Sequence, residues 1–312
     1  MTAMRTHFDV LVRGPTLAQA LRQIRRQIRP ADRSRLRVWT NWNEVTRQNG
    51  EQLFIVSCLR NMTSEPELSN VKHLAGISKR FLLFTGRQSI PAESMAQSLA
   101  DLGVRGSERL HLVRREIDDE HSFLRRFVTG LLASDQDGAI MDAWWDADEL
   151  MVISPLFQRL RVPVAALPKL RNALEADRAN FKIDPFGDFI YWPSHDVHMS
   201  WPQFQQAVDP QARLRAQQRH EQFNQRYGRA IRSLRELHAL SQQSVANLDE
   251  RTVRRIEQGK TRATASALHK LAKAHGMTAA DYMAAVADLL EARPSVAAGY
   301  VGNFRAAARK AS

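Results

Sequence analysis

The stretch Asp249-Glu250-Arg251-Thr252-Val253-Arg254-Arg255-Ile256-Glu257-Gln258-Gly259-Lys260 decides how the chain is read. Val253 and Ile256 fall on one side of a helix, while Glu250, Arg251, Arg254 and Arg255 point outward. Asp249 is a good N-cap and Gly259 a good stop. The spacing predicts a short helix that buries an aliphatic edge and presents arginines to solvent.

Upstream, Ala230, Ile231, Leu234 and Leu237 form another apolar face at helical spacing. His238-Ala239-Leu240-Ser241 interrupts it, and Ser241 can cap a short helix with Val245 and Ala246 turned inward. Asn247-Leu248 supplies the turn, asparagine being tolerant of left-handed backbone. Downstream, Leu268, Leu271 and Ala272 open a further amphipathic helix. Two short helices joined by a tight turn, the second carrying outward arginines, suit the major groove of duplex DNA.

Charge points the same way. The 312 residues carry a net charge of +12, and residues 211–275 hold fourteen Arg and Lys against five Asp and Glu, an excess of nine. Positive charge concentrated in a fifth of a chain attracts a polyanion, with counterion release as the driving force. An arginine-rich solvated helical surface would give the same count, so charge alone does not decide.

The anchored positions do more. Ile231-x-x-Leu234-Arg235, Leu240-Ser241-Gln242, Val245-Ala246, Thr252 to Lys260 and Leu268-x-x-Leu271-Ala272-x-Ala274-x-Gly276 resemble the Cro/phage-repressor (XRE) helix-turn-helix family. The resemblance implies that Gln242 and its neighbour Gln243 open the second helix and meet phosphate or base edges. It implies base-facing roles for Glu250, Arg251 and Arg255 on the recognition helix, with Arg254 also among the DNA-binding residues, and backbone contacts for Lys260 and Arg262 in the loop that follows. Arg235 and Glu257 would form the family's internal ion pair. The family has about three more residues between the positions of Gln242 and Thr252, so the second helix or its turn is shorter here.

Upstream of Pro210 the composition changes. Leu214 to Tyr227 reads as a polar connecting helix. Residues 138–208 read as a small α+β unit. It has a hairpin of Ala139–Trp145 with Glu149–Ile153 around Asp146-Ala147-Asp148, a short β-like Arg161–Val164, a small helix Leu167–Leu174, and two strands turned by Pro185 and Gly187. Trp144 with its acidic turn, and Asp184-x-x-Gly187-x-x-Ile190-Tyr191-Trp192-Pro193, resemble an uncharacterised domain found ahead of such helix-turn-helix modules. His195, Asp196 and His198 are too few for a metal site on their own.

Residues 1–135 alternate strands and helices. Phe8–Val12, Leu36–Trp39, Leu53–Val56, Phe81–Gly86 and Leu110–Val113 read as strands. Helices are expected at Leu17–Ile28, after Pro66, after Pro91 and through Phe123, Phe127 and Leu131. The outline is similar to a response-regulator receiver, but the acid-bearing positions are not acidic: Val12-Arg13-Gly14 follows the first strand and Ser57-Cys58 the third. Thr85 and Arg114 sit near the family's threonine and lysine. The resemblance implies a pseudo-receiver unable to accept phosphate. Gly103-x-x-Gly106 lacks the lysine and the position of a nucleotide loop. Cys58 reads as a buried structural thiol.

The expected fold class is an α/β and α+β N-terminal part with an all-α helix-turn-helix C-terminal domain. The segments are 1–135, 138–208, a connecting helix 210–228, the DNA-binding domain 229–292 and a basic tail 293–312. The implied function is a transcriptional regulator that binds double-stranded DNA as a homodimer, with residues 1–205 available to a regulatory protein. An antitoxin-like or mobile-element control protein acting through its N-terminal half is the second reading. No paired-cysteine metal motif, nucleophile elbow or P-loop is present, so no catalytic residue, cofactor or metal is expected. A lone cysteine and the lack of a signal-peptide core or long apolar run predict a cytoplasmic protein, bound to the bacterial nucleoid through DNA.

Overall fold

The computed structural model describes residues 7–45, 53–62, 64–73, 79–85, 100, 109–113, 120–133, 138–245 and 248–291. The chain divides into two compact units, Met1–Pro210 and Gln211–Ser312. Among the described residues no helix is long and apolar enough to cross a membrane.

The first unit is built on five parallel strands, β1 (Phe8–Arg13), β2 (Leu36–Trp39), β3 (Leu53–Cys58), β4 (Lys79–Phe84) and β5 (Leu110–Val113). Their order is β2-β1-β3-β4-β5, that of a doubly wound sheet. Helices α1 (Pro15–Gln27), α2 (Pro30–Arg33), α3 (Leu59–Met62), α4 (Glu65–His73) and α5 (Glu120–Leu132) connect and cover it. Successive strand residues feed opposite faces. Val10, Val12, Phe54, Val56, Leu82 and Phe84 pack with Leu21 of α1 and Phe127 of α5. Leu11, Ile55, Phe81 and Leu83 pack with Met62 of α3 and Val71 of α4. Burial on both faces is why these strands are apolar throughout rather than alternating. The helix expected after Pro91, Gly86, the Gly103 and Gly106 pair and Arg114 lie outside the described residues.

Two antiparallel sheets follow. One holds β6 (Asp142–Asp146), β7 (Glu149–Ile153) and β8 (Arg159–Pro163). Its hairpin turns through Ala147 at φ 52°, and its first arm begins at Asp142, three residues later than expected at Ala139. Leu167–Leu174 is a run of tight turns rather than a helix, and the helix of this region, α6, is Glu175–Ala179. Leu167 and Leu170 are buried three apart, which mimics helical periodicity, but Pro168 has no N–H to donate and Leu174 is extended. The other sheet holds β9 (Lys182–Ile183), β10 (Ile190–Trp192) and β11 (Val197–Met199), and α7 (Trp201–Val208) closes the segment. Gly187 turns at φ 83°, and a Cβ there would stand 2.5 Å from the Ile140 carbonyl oxygen, so the turn requires glycine.

Residues 1–135 and 138–208 share a core. Met141, Ile153 and Phe157 enter the apolar cluster under the parallel sheet. The rim is fastened by the His111 Nε2–Asp142 Oδ2 contact at 2.8 Å and by Arg126 Nε donating to the Met141 carbonyl at 2.9 Å.

The second unit is helical: α8 (Pro210–Leu237), α9 (Glu250–Glu257), α10 (Ala265–Ala274) and α11 (Ala279–Glu291). The expected connecting helix and the helix of the Ala230–Leu237 face are one uninterrupted helix of 28 residues. Ile231, Leu234, Val245, Val253, Ile256, Leu271, Tyr282 and Val286 form its core. Where a short helix was expected after Ser241 there is a 3-10 turn, Gln242–Ser244. Ser241 and Ser244 exchange bonds, each backbone N–H donating to the other's hydroxyl, which closes the turn after three residues. Val245 is then extended and drops into the core. Ala246, Asn247 and the tail 293–312 lie outside the described residues.

Candidate nucleic-acid interface

The helix expected to carry the outward arginines is α9. Val253, Ile256 and Glu257 are buried on one side, while Glu250, Arg251, Arg254 and Arg255 are exposed on the other. Asp249 stands at the N-cap, although its side chain makes no capping hydrogen bond. Gly259 reverses the chain at φ 68°. Among the described residues the guanidinium groups of Arg251, Arg254 and Arg255 make no ion pair or hydrogen bond. Three unpaired cations on one short face are a local excess of positive charge directed at solvent.

What fixes this helix is a buried polar cluster. Arg235 of α8 donates from Nε to Glu257 Oε1 at 2.5 Å and from Nη2 to Oε2 at 3.0 Å, a two-point fork. Its Nη1 donates to the Leu240 carbonyl at 2.6 Å, so the same side chain holds the bend after α8, where Ala239 sits at φ 52°. Arg235 and Glu257 are 7% and 5% exposed. The bond to Glu257 pushes the Arg235 pKa further above its ordinary value. Gln242 Nε2 donates to Glu257 Oε2 at 2.7 Å, so its half-buried amide braces the carboxylate instead of standing free at a surface.

The remaining positions divide. Gln243 is exposed and donates to Glu250 at 3.0 Å, linking the turn to the first residue of α9. Lys260 is exposed beside Gly259. Arg262 is exposed but anchored, with Nε donating to Asn224 Oδ1 at 2.8 Å and its guanidinium 5.2 Å from the Phe223 ring centre. Sequence reading missed Phe223 and Asn224 because they lie in what looked like a featureless polar linker.

It also missed Gly228. A Cβ there would stand 2.4 Å from the Ile256 carbonyl oxygen and 2.8 Å from Gly259 N. The two glycines let the end of α9 lie directly on the backbone of α8. Their cue was the pair Tyr227-Gly228 inside an otherwise good helix, since a glycine there costs ~1 kcal/mol against alanine unless packing requires it. Beneath the cluster, His275 donates from Nδ1 to the Leu271 carbonyl at 2.7 Å and stands edge-on to His238. Burial lowers its pKa, and the bond to Leu271 opposes that shift in part. Burial raises the Tyr282 hydroxyl.

In the first unit the carboxyl end of β1 is filled by its own side chains. Arg13 makes a two-point contact with Glu67, the closer at 2.5 Å, and donates to the Thr40 carbonyl. Trp42 Nε1 also donates to Glu67, at 2.7 Å. Cys58 is half-buried, and Thr85 donates to the Val113 carbonyl. Arg13 is the last residue of β1. His198 stacks on Tyr191 at 4.2 Å. Among the described residues no group of three or more His, Cys, Asp and Glu is placed to hold a metal ion.

Residues 158–203, from just before β8 into α7, match the family model described as a protein of unknown function (DUF2442). The match lies within the first unit and covers less than half of the chain. No curated protein matches the chain, and no solved structure matches it.

Proposed function

We propose that this protein is a sequence-specific double-stranded DNA-binding regulator that reads the major groove with α9. The observation carrying this reading is that Arg251, Arg254 and Arg255 are exposed and, among the described residues, unpaired on a helix whose other side is pinned by the Arg235–Glu257 fork. A pinned helix offers its guanidinium groups in one geometry, which base readout needs. An arginine that bonds guanine O6 and N7 together adds ~1–3 kcal/mol of discrimination. Lys260 supplies a phosphate contact beside them. The helix-turn-helix likeness of residues 229–292 supports the same reading, with the 3-10 turn Gln242–Ser244 in place of most of the second helix.

One short reading helix contacts few base pairs, so the proposed active form is a homodimer on two half-sites about one helical turn apart. Selection of bound duplexes from a random pool tests this. A recovered site with two-fold symmetry and guanines in each half is expected. Recovery of no preferred sequence, with binding that depends on salt alone, would sink the proposal.

A further inference from the structure

We infer that the first unit holds a binding site for a small organic monocarboxylate with a compact apolar body, in the cavity between α1 and α5. The cavity has a volume of about 370 Å³, within the range that takes small molecules. Ile24 and Ile28 line one wall, Leu132 and Ala133 another, and Phe186 lies at its edge. Phe186 is 53% exposed, a large ring left in water at the rim of an apolar hollow.

The polar part of the lining is asymmetric. Arg29 is paired with Asp32 at 2.9 Å, a carboxylate that also lies 3.8 Å from Arg35. Arg125 has no such partner among the described residues. Its Nη2 donates to the amide oxygen of Gln27 at 3.1 Å, its Nε is shielded from solvent with no hydrogen-bond partner, and its guanidinium lies 6.0 Å from the Phe186 ring centre. The Thr129 hydroxyl is taken up by backbone carbonyls. The lining therefore carries one uncompensated positive charge, on a guanidinium whose hydrogen bonding is incomplete. A part-shielded cation of this kind is best satisfied by an anion, and guanidinium matches carboxylate in geometry. Apolar walls beside it favour a ligand with a hydrocarbon or single-ring body over a bare ion.

The inference stands on the first unit alone and does not depend on whether the second binds DNA. The test is isothermal titration calorimetry on the full chain with octanoate and 4-phenylbutyrate, against octanamide and acetate as the uncharged body and the bare headgroup. Saturable one-to-one binding of the two acids is expected, with octanamide and acetate weaker by about tenfold or more. Arg125→Gln should weaken the acids by a similar factor while leaving the melting temperature of the free protein near that of the parent, and Arg29→Gln should change little. Binding of the acids to Arg125→Gln as tight as to the parent would overturn the inference, as would no difference between octanoate and octanamide, or no heat with either acid. If Arg125→Gln does not fold, Phe186→Ala at the rim replaces it, with the same expected loss for 4-phenylbutyrate.

Discussion

Gly228 and Gly259 lie against each other where α9 ends on α8: a Cβ on Gly228 would come within 2.8 Å of Gly259 N, and one on Gly259 within 2.6 Å of the Asn224 carbonyl oxygen. Backbone touches backbone here, so neither side can yield by turning a side chain. Gly228→Ala should therefore destabilise the second unit by about 1–3 kcal/mol, although alanine is the better helix former. Urea denaturation followed by circular dichroism measures it. A neutral or stabilising result would show that the two helices are free to part.

Glu257 is held by Arg235 and Gln242 together, and removing its charge strands a buried guanidinium. Glu257→Gln should cost about 3–5 kcal/mol, the range for breaking a buried pair from one side. Gln242→Ala leaves the fork intact and should cost about 1 kcal/mol, one hydrogen bond. The ordering separates two roles for Gln242. A bracing residue loses stability in the free protein, whereas a residue that touches only DNA loses affinity alone.

The two kinds of signal in the chain differ in how far they reach. Apolar strands such as Phe81-Leu82-Leu83-Phe84 were legible because burial on both faces leaves little else they could be, and all five lie within a few residues of their expected places. The Arg235–Glu257 pair was legible only through the family resemblance; 22 residues apart, it has no local pattern. Gln242 was given a DNA contact only by the family resemblance; its bond to Glu257 has no local pattern either, since it spans 15 residues and starts from a 3-10 turn. The hold of Asn224 and Phe223 on Arg262 depends on α8 running unbroken past residue 228, which a change in composition concealed.

Among the described residues the guanidinium groups of Arg251 and Arg255 make no ion pair or hydrogen bond, so their removal should leave the fold alone. Arg251→Ala/Arg255→Ala is expected to change unfolding free energy by less than about 0.5 kcal/mol per site. Specific affinity for a selected duplex should fall at least tenfold, or the sequence preference should disappear. If one of the two arginines bonds a phosphate instead of a base, its single variant should lower the slope of log K against log salt by about one without changing preference. Retention of full affinity and preference by the double variant would move the reading surface away from α9.

Burial of His275 sets the sign expected for the pH dependence of the second unit's stability. Its pKa is lowered in the fold by burial, with His238 and Arg235 adding a smaller push in the same direction. Above the ordinary histidine value of about 6.5 both folded and unfolded chains are neutral at this site. As pH falls below that value, the unfolded chain binds a proton that the folded one resists, so stability is lost on acidification. Thermal melts at pH 7.5 and about pH 5.5 should show the second unit melting earlier in acid, with a smaller difference in His275→Gln. An unchanged difference in that variant would assign the effect to other groups.

His111 and Asp142 join the last strand of the parallel sheet to the first strand of the hairpin that follows. The ring is 3% exposed, stacks at 6.0 Å on both Phe123 and Trp144, and meets the carboxylate at 2.8 Å. Asp142→Asn replaces an acceptor that is charged with one that is neutral and should cost about 1–3 kcal/mol. Because the two parts share Met141, Ile153 and Phe157 in one core, that loss should spread over all of Met1–Pro210. Tryptophan fluorescence, which senses Trp144 beside the pair, and far-ultraviolet circular dichroism should therefore shift together in denaturant. A fluorescence transition that moves to lower denaturant while the remaining helical signal stays in place would mean that the hairpin unit opens by itself, with the shared core too weak to couple the two halves.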